Sequence, residues 1–288
     1  MTPLPRFFAE YQPRIDGELR RLVPGPADRV QEAMAYTLHA PSKRIRPVLT
    51  LLTAELCGGP VTAALPAACA MEMVHASSLI LDDLPVMDDA AIRRGKPANH
   101  VVFGEAMAIL AAFGLLSGAF GTIARAYEPP LASRVSALLS DAVGAEGLIG
   151  GQAADLLATD QQITFKMLER IHRGKTGALF SAAASSGALT AGAAGDSIAA
   201  LQAFAKNLGL AFQIIDDLLD VEGDPAITGK PIREDVKKTT FVSFSGGAAG
   251  ARQLAGELCQ TADRALSPFG RRAERLRELS AFVAARMS

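Results

Sequence analysis

Two clusters of aspartates interrupt long apolar stretches of this chain of 288 residues. The first cluster spans residues 82–89 (DDLPVMDD) and the second spans residues 216–220 (DDLLD). Carboxylates placed against a core are costly unless cations neutralise them. Oxygen ligands suit Mg²⁺, which usually completes its coordination with water and phosphate oxygens. The clusters therefore predict a magnesium site that receives a phosphorylated ligand.

The apolar residues of the chain favour helices over strands. Hydrophobic residues make up 49% of the sequence and aromatic residues only 6%. Ala and Leu dominate this apolar content, and both favour helix, whereas strands favour β-branched and aromatic residues. Helical periodicity predicts helices over about 14–23, 27–39, 44–57, 62–83, 105–126, 131–157, 164–187, 197–221, 247–266 and 271–286. We predict an all-α fold, one domain over residues 1–288, with about ten helices bundled around a central cavity.

Charge and cysteine content favour a cytoplasmic protein without a nucleic-acid partner. The formal net charge of −1 gives no electrostatic reason to expect nucleic acid or an anionic membrane. Cys57, Cys69 and Cys259 lack CxxC or metal-ligand spacing, which indicates unpaired thiols. The first residues include Arg6 and Glu10 and no long apolar core, so a signal peptide is not expected.

One uncharged segment, residues 106–124, has about the length that spans a bilayer. It contains three glycines and no interfacial Trp or Tyr. A central helix that is buried on all sides has the same composition. We predict a buried helix and not a membrane span.

The spacing within each aspartate cluster suits shared ligands. Asp216 and Asp220 are four residues apart and would lie on one face of a helix. Pro85 is expected to end the helix before it, and the following loop would return Asp88 towards Asp82. A single DDxxD motif is a weak signal, because acidic pairs are common at solvated helix ends. Two copies beside core sequence indicate facing sites inside a helical bundle.

Basic residues accompany both clusters. They are Lys43, Arg46, Arg93, Arg94, Lys175, Lys230, Lys237 and Lys238. Lys43 and Arg46 lie at a predicted helix start, where unpaired N–H groups favour anions. Each of them could be an ordinary solvated charge, and we favour that interpretation for Lys237. Together they supply enough positive charge to hold two diphosphates. His75 lies two turns before Asp82, and a core role and a ligand role are both open.

These motifs resemble the trans-isoprenyl diphosphate synthases, a family of short-chain prenyltransferases. The resemblance runs from Lys43 to Thr240 in the family's order, through KRIRP, MVHASSLILDDLPVMD, RRGKPANH, FGEAMAIL, GGQAADL, KTGALF, FQIIDDLLD and GKPIREDVKKTT. The longer first acidic motif is similar to the bacterial type. LILDD and AFGLLSGAF are most similar to carotenoid-type geranylgeranyl diphosphate synthases. Ser42 and Phe113 depart from many members, which have Gly and Asp there.

The resemblance implies an enzyme that condenses isopentenyl diphosphate with an allylic diphosphate, using three Mg²⁺ ions. The implied metal ligands are Asp82, Asp83, Asp88, Asp216, Asp217 and Asp220. The implied contacts of the allylic diphosphate are Arg93, Lys175 and Lys230, with Lys238 near it. The implied contacts of isopentenyl diphosphate are Lys43, Arg46, His75 and Arg94. Thr176, Gln213 and Gln152 would direct oxygen dipoles towards the developing allylic cation. Catalysis would rest on Asp82, Asp83, Asp88, Asp216, Lys175 and Arg93.

The resemblance also implies a homodimer, for which the predicted helices 105–126 and 131–157 could supply the interface. Two other classes were weighed. A class I terpene cyclase is disfavoured by the second DDLLD motif and by Lys43 and Arg46. A non-catalytic regulatory subunit is disfavoured because both acidic motifs are intact.

Product length is expected to depend on the residues before the first cluster. Ser77 and Ser78 lie one helical turn before Asp82, and Met73 lies one turn further; a turn rises about 5.4 Å, close to one extended isoprene unit. An aromatic residue at Ser77 would close the pocket near fifteen carbons, so serine favours a C20 product over C15. Phe113 is expected to help form the floor. The alternative is that both serines only allow close helix packing.

Overall fold

The computed structural model describes residues 4–222 and 240–285, and this part of the chain is almost wholly helical. The helices are α1 (Arg6–Leu22), α2 (Arg29–Leu38), α3 (Ile45–Leu56), α4 (Val61–Asp82), α5 (Asn99–Phe103), α6 (Glu105–Ala126), α7 (Pro129–Val143), α8 (Leu148–Ala158), α9 (Phe165–His172), α10 (Ala178–Thr190), α11 (Gly195–Glu222), α12 (Phe241–Phe244), α13 (Ala248–Ala265) and α14 (Glu274–Ala285). A π-helical turn covers Arg173–Gly177, and a 3₁₀ turn covers Ser267–Ala273. Strands β1 (Ile92–Arg93) and β2 (Lys96–Pro97) form an antiparallel hairpin. The predicted all-α class is confirmed.

The helices pack around one hydrophobic core that extends from Phe7 to Val283. Helix α4 packs against α3 and α6, helix α10 packs against α3 and α11, and α11 packs against α13. Helices α4 and α10 are apolar around most of their circumference, as expected for helices surrounded by others. Both aspartate clusters lie at the carboxyl ends of long core helices, α4 and α11.

The first helix begins earlier than its predicted start near residue 14. Helix α1 begins at Arg6 and contains Pro13. Phe7, Phe8 and Tyr11 are buried and anchor the extra turns against the core. This burial outweighs the missing proline N–H.

The predicted helix over residues 131–157 is two helices, α7 and α8. The break falls over residues 144–147, between Val143 and Leu148. A Cβ at Gly147 would lie 2.2 Å from the carbonyl oxygen of Ala142, so only glycine permits this close return of the backbone. The predicted helix over residues 164–187 is also modified, because the π-helical turn interrupts it.

Helix α6 is not buried on all sides, and that prediction is wrong. Three helices are long and apolar enough to cross a membrane by length and composition alone: Val61–Asp82, Glu105–Ala126 and Gly195–Val221. In Glu105–Ala126 only 39% of the apolar window is buried. Ile109, Leu110 and Phe113 form an exposed stripe on the side away from α4, and Phe113 is 60% exposed. Phe113 therefore forms no pocket floor within this chain.

All three cysteines carry free thiols, as predicted. Cys69 and Cys259 are buried. Burial raises the pKa of Cys259 to about 11 and raises that of Cys69 as well. These two side chains behave as small core residues.

Candidate active site

The first aspartate cluster forms a compact turn at the end of α4. The backbone N–H of Asp88 donates to the carbonyl of Asp82 at 2.9 Å, and that of Ala90 donates to the carbonyl of Asp83 at 3.2 Å. The left-handed backbone of Asp89, with φ of 49°, helps the chain to reverse. The predicted return of Asp88 towards Asp82 is confirmed.

The two carboxylates at the end of α4 differ in exposure and in their partners, but the pKa of each is raised. Burial raises the pKa of Asp82 to about 6, with nearby Lys175 acting in the opposite direction. Asp83 is only 2% exposed and accepts hydrogen bonds from Nε of Arg93 at 2.8 Å and from its Nη2. Burial still raises the pKa of Asp83 despite Arg93. The carboxylates therefore have a deficit of positive charge that a bound cation would remove.

The hairpin after this cluster directs two arginines to different places. Arg94 and Gly95 occupy the two turn positions with φ of 54° and 73°, the left-handed pair of a tight hairpin turn. Arg93 reaches Asp83, while Nη2 of Arg94 lies 4.0 Å from Oε1 of Glu72 on α4. The two predicted diphosphate contacts thus reach different acidic residues of α4.

The predicted isopentenyl diphosphate contacts Arg46, His75 and Arg94 come together. The Arg46 guanidinium lies over the Phe180 ring, 4.8 Å from its centroid, and burial lowers the pKa of Arg46 to about 10. Nε of Arg46 and Nη1 of Arg94 are buried without a hydrogen-bond acceptor among residues 4–222 and 240–285. Burial, followed by the charges of Arg46 and Arg94, holds the pKa of His75 well below its usual value. A neutral imidazole and two half-buried cations therefore form an anion site.

Lys43 lies at the edge of this group. Its side chain is exposed, and Nζ lies 5.7 Å from the centroid of the Phe282 ring on α14. Phe282 is buried, so the lysine rests on the C-terminal helix. Its contact with a diphosphate stays a prediction.

The second aspartate cluster faces the same region. The charge of Asp216 opposes the fall in the pKa of Arg46 that burial causes, as expected if α11 places this carboxylate near the arginine. Asp217 is buried and accepts from Nε2 of Gln213 and from the N–H of Phe241, both at 3.0 Å. Asp217 therefore binds the first residue of α12 to α11. Its role as a metal ligand stays a prediction. Asp220 is also buried.

A polar chain runs from the π-helical turn to α11. The Thr176 hydroxyl donates to Oε1 of Gln213 at 2.7 Å, and the Gln213 amide donates in turn to Asp217. Because the threonine proton is engaged, the lone pairs of its oxygen are available to an electron-poor group. Gln152 is buried as well, and both its amide atoms are without hydrogen-bond partners in the described part of the chain.

Lys175 is held by a carboxylate that the sequence analysis missed. Its Nζ lies 2.8 Å from Oδ2 of Asp155 on α8. The π-helical turn, a feature often found at functional sites, carries Lys175 towards both α8 and Asp82. The acidic residue inside the GGQAADL motif was the available signal. Lys230 and Lys238, the other predicted lysines, lie outside the described residues.

The carboxylates suit a hard divalent cation. Over residues 4–222 and 240–285, no group of three His, Cys, Asp or Glu side chains is already arranged around a metal position. The donors are oxygen atoms only, and the raised pKa values of Asp82 and Asp83 mark charge that the chain itself leaves uncompensated. Asp88 is exposed at the rim. This donor set fits Mg²⁺.

Below the first cluster, small residues line the contact between α4 and α6. The Ser77 hydroxyl donates to the carbonyl of Ala112 at 2.8 Å, and that of Ser78 donates to the carbonyl of His75 at 3.0 Å. One turn further, Thr122 donates to the sulfur of Met73 at 3.9 Å. Ser78 therefore bonds within α4, whereas Ser77 and Met73 contact α6.

Comparison with known proteins agrees with this site. The model of the polyprenyl synthetase family matches residues 27–248. A farnesyl diphosphate synthase of Geobacillus stearothermophilus is 44% identical over 259 residues, 87% of each chain. A geranylgeranyl diphosphate synthase of Cyanophora paradoxa is 42% identical over 254 residues, 86% of this chain and 85% of the relative. The crystal structure of a FPP/GFPP synthase from Zymomonas mobilis has a TM-score of 0.87 at 33% identity, covering 97% of this chain and 98% of the other.

The chain belongs to the polyprenyl synthetase family. It is a prenyltransferase of the farnesyl and geranylgeranyl diphosphate synthase type, with the all-α isoprenoid synthase fold. Prenyltransferases of this family generally depend on Mg²⁺. The resemblance seen in the motifs is confirmed. The names of the relatives divide between two products, so product length is not resolved by them.

Proposed function

We propose that this enzyme joins isopentenyl diphosphate to an allylic diphosphate and releases geranylgeranyl diphosphate, a C20 product. The observation that carries the proposal is the meeting of two chemically different anion sites. One is lined by carboxylates that fit Mg²⁺ and the other by Arg46 and Arg94, and the charge of Asp216 opposes the fall in the pKa of Arg46 that burial causes. Two diphosphates can therefore bind side by side, one through metal and one through arginine.

The carboxylate site suits the allylic diphosphate, which must leave with its charge neutralised. Three Mg²⁺ ions, the number implied by the family, would supply that neutralisation when bound. Arg93 and Lys175 add fixed positive charge on either side of Asp82. The Thr176 oxygen, oriented by its donation to Gln213, would face the carbon that becomes positive. Burial of this region excludes water from the cation.

The arginine site suits isopentenyl diphosphate. Arg46 and Arg94 would donate to its oxygens through the nitrogens that have no acceptor within the described chain. His75, held neutral by burial and by the arginines, would donate one N–H without adding charge. The bound double bond then lies beside the allylic carbon and attacks it. The proton lost in this step would pass to the released diphosphate.

An assay with purified protein tests the proposal directly. Isopentenyl diphosphate would be supplied with dimethylallyl, geranyl or farnesyl diphosphate, with Mg²⁺ or with a chelator, and the products separated by chromatography. We expect Mg²⁺-dependent consumption of isopentenyl diphosphate from each primer, ending at C20. Absence of turnover with all primers would contradict the proposal. Hydrocarbon release without isopentenyl diphosphate would instead indicate a terpene cyclase.

Farnesyl diphosphate, C15, is the second candidate product. The farnesyl diphosphate synthase relative at 44% identity favours it. So does the Ser77 hydrogen bond to α6, because it fits a serine that serves helix packing. The C20 product is favoured by the small side chains of Ser77 and Ser78 above Met73. The same assay decides between them, since a C15 enzyme would extend geranyl diphosphate once and leave farnesyl diphosphate unextended.

We also propose that the enzyme is a cytoplasmic homodimer that pairs through α6. The exposed residues Ile109, Leu110 and Phe113 form an apolar patch in the first half of this helix. Ile149 and Leu157 on α8 are exposed as well, Leu157 by 79%. Such a surface on a protein with free thiols and little net charge suits a second copy of the chain.

A further inference from the structure

A buried ion pair lies behind the arginine site and belongs to none of the predicted contacts. Arg44 is 3% exposed and Glu72 is 1% exposed, and Nη1 of Arg44 lies 2.7 Å from Oε1 of Glu72. The same guanidinium donates to Oδ1 of Asp16 at 2.9 Å and to the carbonyl of Leu38 at 2.8 Å. Four elements therefore meet at one side chain: α1, α2, α4 and the start of α3.

Arg44 has a strained backbone at the start of α3. Its φ of 51° is left-handed, a conformation that disfavours residues with a Cβ by roughly 1–2 kcal/mol. Such a conformation persists where the surroundings hold the residue strongly. The contacts with Glu72 and Asp16 supply that restraint. The reversal at Arg44 determines the directions of Lys43 before it and Arg46 after it.

Glu72 acts on more than one arginine. It lies 4.0 Å from Nη2 of Arg94, and its charge opposes the fall in the pKa of Arg46 and of Arg94 that burial causes. Glu72 also precedes His75 by three residues on α4, so both face the arginine site. A buried ion pair contributes little to stability compared with apolar residues of the same shape, which leaves orientation as its better explanation.

We propose that Glu72 and Arg44 form a clamp that positions the cations of the isopentenyl diphosphate site. Glu72 restrains Arg44, and Arg44 directs Lys43 and Arg46; the attraction of Glu72 also keeps Arg94 beside them before substrate binds. Glu72 and Arg44 are positioning residues, because their own polar atoms are already engaged with the chain. The inference rests on the proposed assignment of this site to isopentenyl diphosphate.

Glu72→Gln tests the clamp, since glutamine keeps the shape and one hydrogen-bond acceptor but removes the charge. We expect the KM for isopentenyl diphosphate to rise at least tenfold. The KM for the allylic substrate should stay within twofold, and kcat with both substrates saturating within threefold. Calorimetric binding of isopentenyl diphosphate to the metal-free protein should weaken by the same factor. A merely structural role would lower the unfolding temperature and leave both KM values unchanged, which would overturn the proposal.

Glu55→Gln is the matched control. Glu55 also accepts a hydrogen bond from an arginine, Arg275, at 2.8 Å. It lies at the opposite end of α3 from Arg44, and its side chain is 43% exposed. We expect it to leave the KM for isopentenyl diphosphate unchanged. Should Glu72→Gln not fold, Asp16→Asn neutralises the outer, 34% exposed partner of Arg44 and should raise that KM two- to fourfold. An unchanged value would overturn the clamp.

The outcomes separate the clamp from the function on which it rests. Wild-type protein that neither binds nor consumes isopentenyl diphosphate would contradict the proposed function. Active wild-type protein, with variants of Glu72 and Asp16 indistinguishable from it, would contradict the clamp alone.

Discussion

At the scale of single residues, the site depends on charges that the fold buries and does not fully neutralise. Asp82 has the clearest signature, because burial raises its pKa to about 6, whereas at Asp83 the hydrogen bond from Arg93 opposes a rise of the same cause. Among the arginines, Arg46 and Arg94 present nitrogens without acceptors in the described chain. The uncompensated carboxylate of Asp82 and the uncompensated nitrogens of Arg46 and Arg94 can therefore each bind a separate ligand.

Asp82→Asn should stabilise the metal-free protein and inactivate the enzyme. The pKa of Asp82 is higher in the folded than in the unfolded state, so ionisation destabilises the fold above about pH 6 and does so less as the pH falls towards 4. Removing the charge should raise the free energy of unfolding by up to about 3 kcal/mol at pH 8 and by about half as much at pH 5. Urea unfolding at the two pH values measures this difference.

The activity of Asp82→Asn with Mg²⁺ should fall by roughly 100-fold or more, as is typical when a group that stabilises the leaving charge is removed. Unchanged stability at pH 8 would mean that the chain itself already compensates this carboxylate.

Ser77→Phe should shorten the product from C20 to C15. The ring adds bulk one helical turn before Asp82, where the hydroxyl now contacts Ala112. Ser77→Ala is the control, since it removes the hydrogen bond without adding bulk and should keep C20. Chromatography of labelled products measures chain length. The same product from the phenylalanine variant and the wild type would show that residue 77 does not limit elongation.

At the scale of elements, the contact between α8 and the π-helical turn positions Lys175. A Cβ built on Gly151 would lie 2.1 Å from the backbone nitrogen of Lys175, so the two backbones are as close as glycine permits. Asp155, one turn further along α8, holds the lysine side chain. Both contacts come from the segment that was predicted as one continuous helix with α7.

Gly151→Ala should therefore displace Lys175. We expect kcat to fall at least tenfold and stability to fall by about 1–3 kcal/mol, because backbone must move to accept the methyl group. Steady-state kinetics and urea unfolding measure the two effects. Gly256→Ala in α13, where no atom lies within 4 Å of the new Cβ, should retain activity and gain about 0.5–1 kcal/mol. Wild-type kcat in Gly151→Ala would refute this positioning role.

At the scale of the whole molecule, a single chain leaves the apolar face of α6 exposed to solvent. Phe113 lies at its centre, between the exposed Leu110 and Ser117. We expect the wild-type protein to sediment as a dimer at micromolar concentration and Phe113→Glu to sediment as a monomer, because a buried unpaired carboxylate opposes association. Leu4→Glu, at an exposed leucine outside α6, should remain dimeric. A wild-type monomer would contradict the homodimer.

The helical class, the two acidic motifs and the arginines beside them follow from the order of residues alone. These features depend on local chemistry. Pro85 and Asp88 are three residues apart in one loop, and Asp216 and Asp220 share a face because they are one helical turn apart. Tertiary structure alone decided which side of α6 is exposed, since its apolar residues cover the helix all round. It also decided the pairing of Arg44 with Glu72, because residues far apart along the chain meet only when α3 packs on α4.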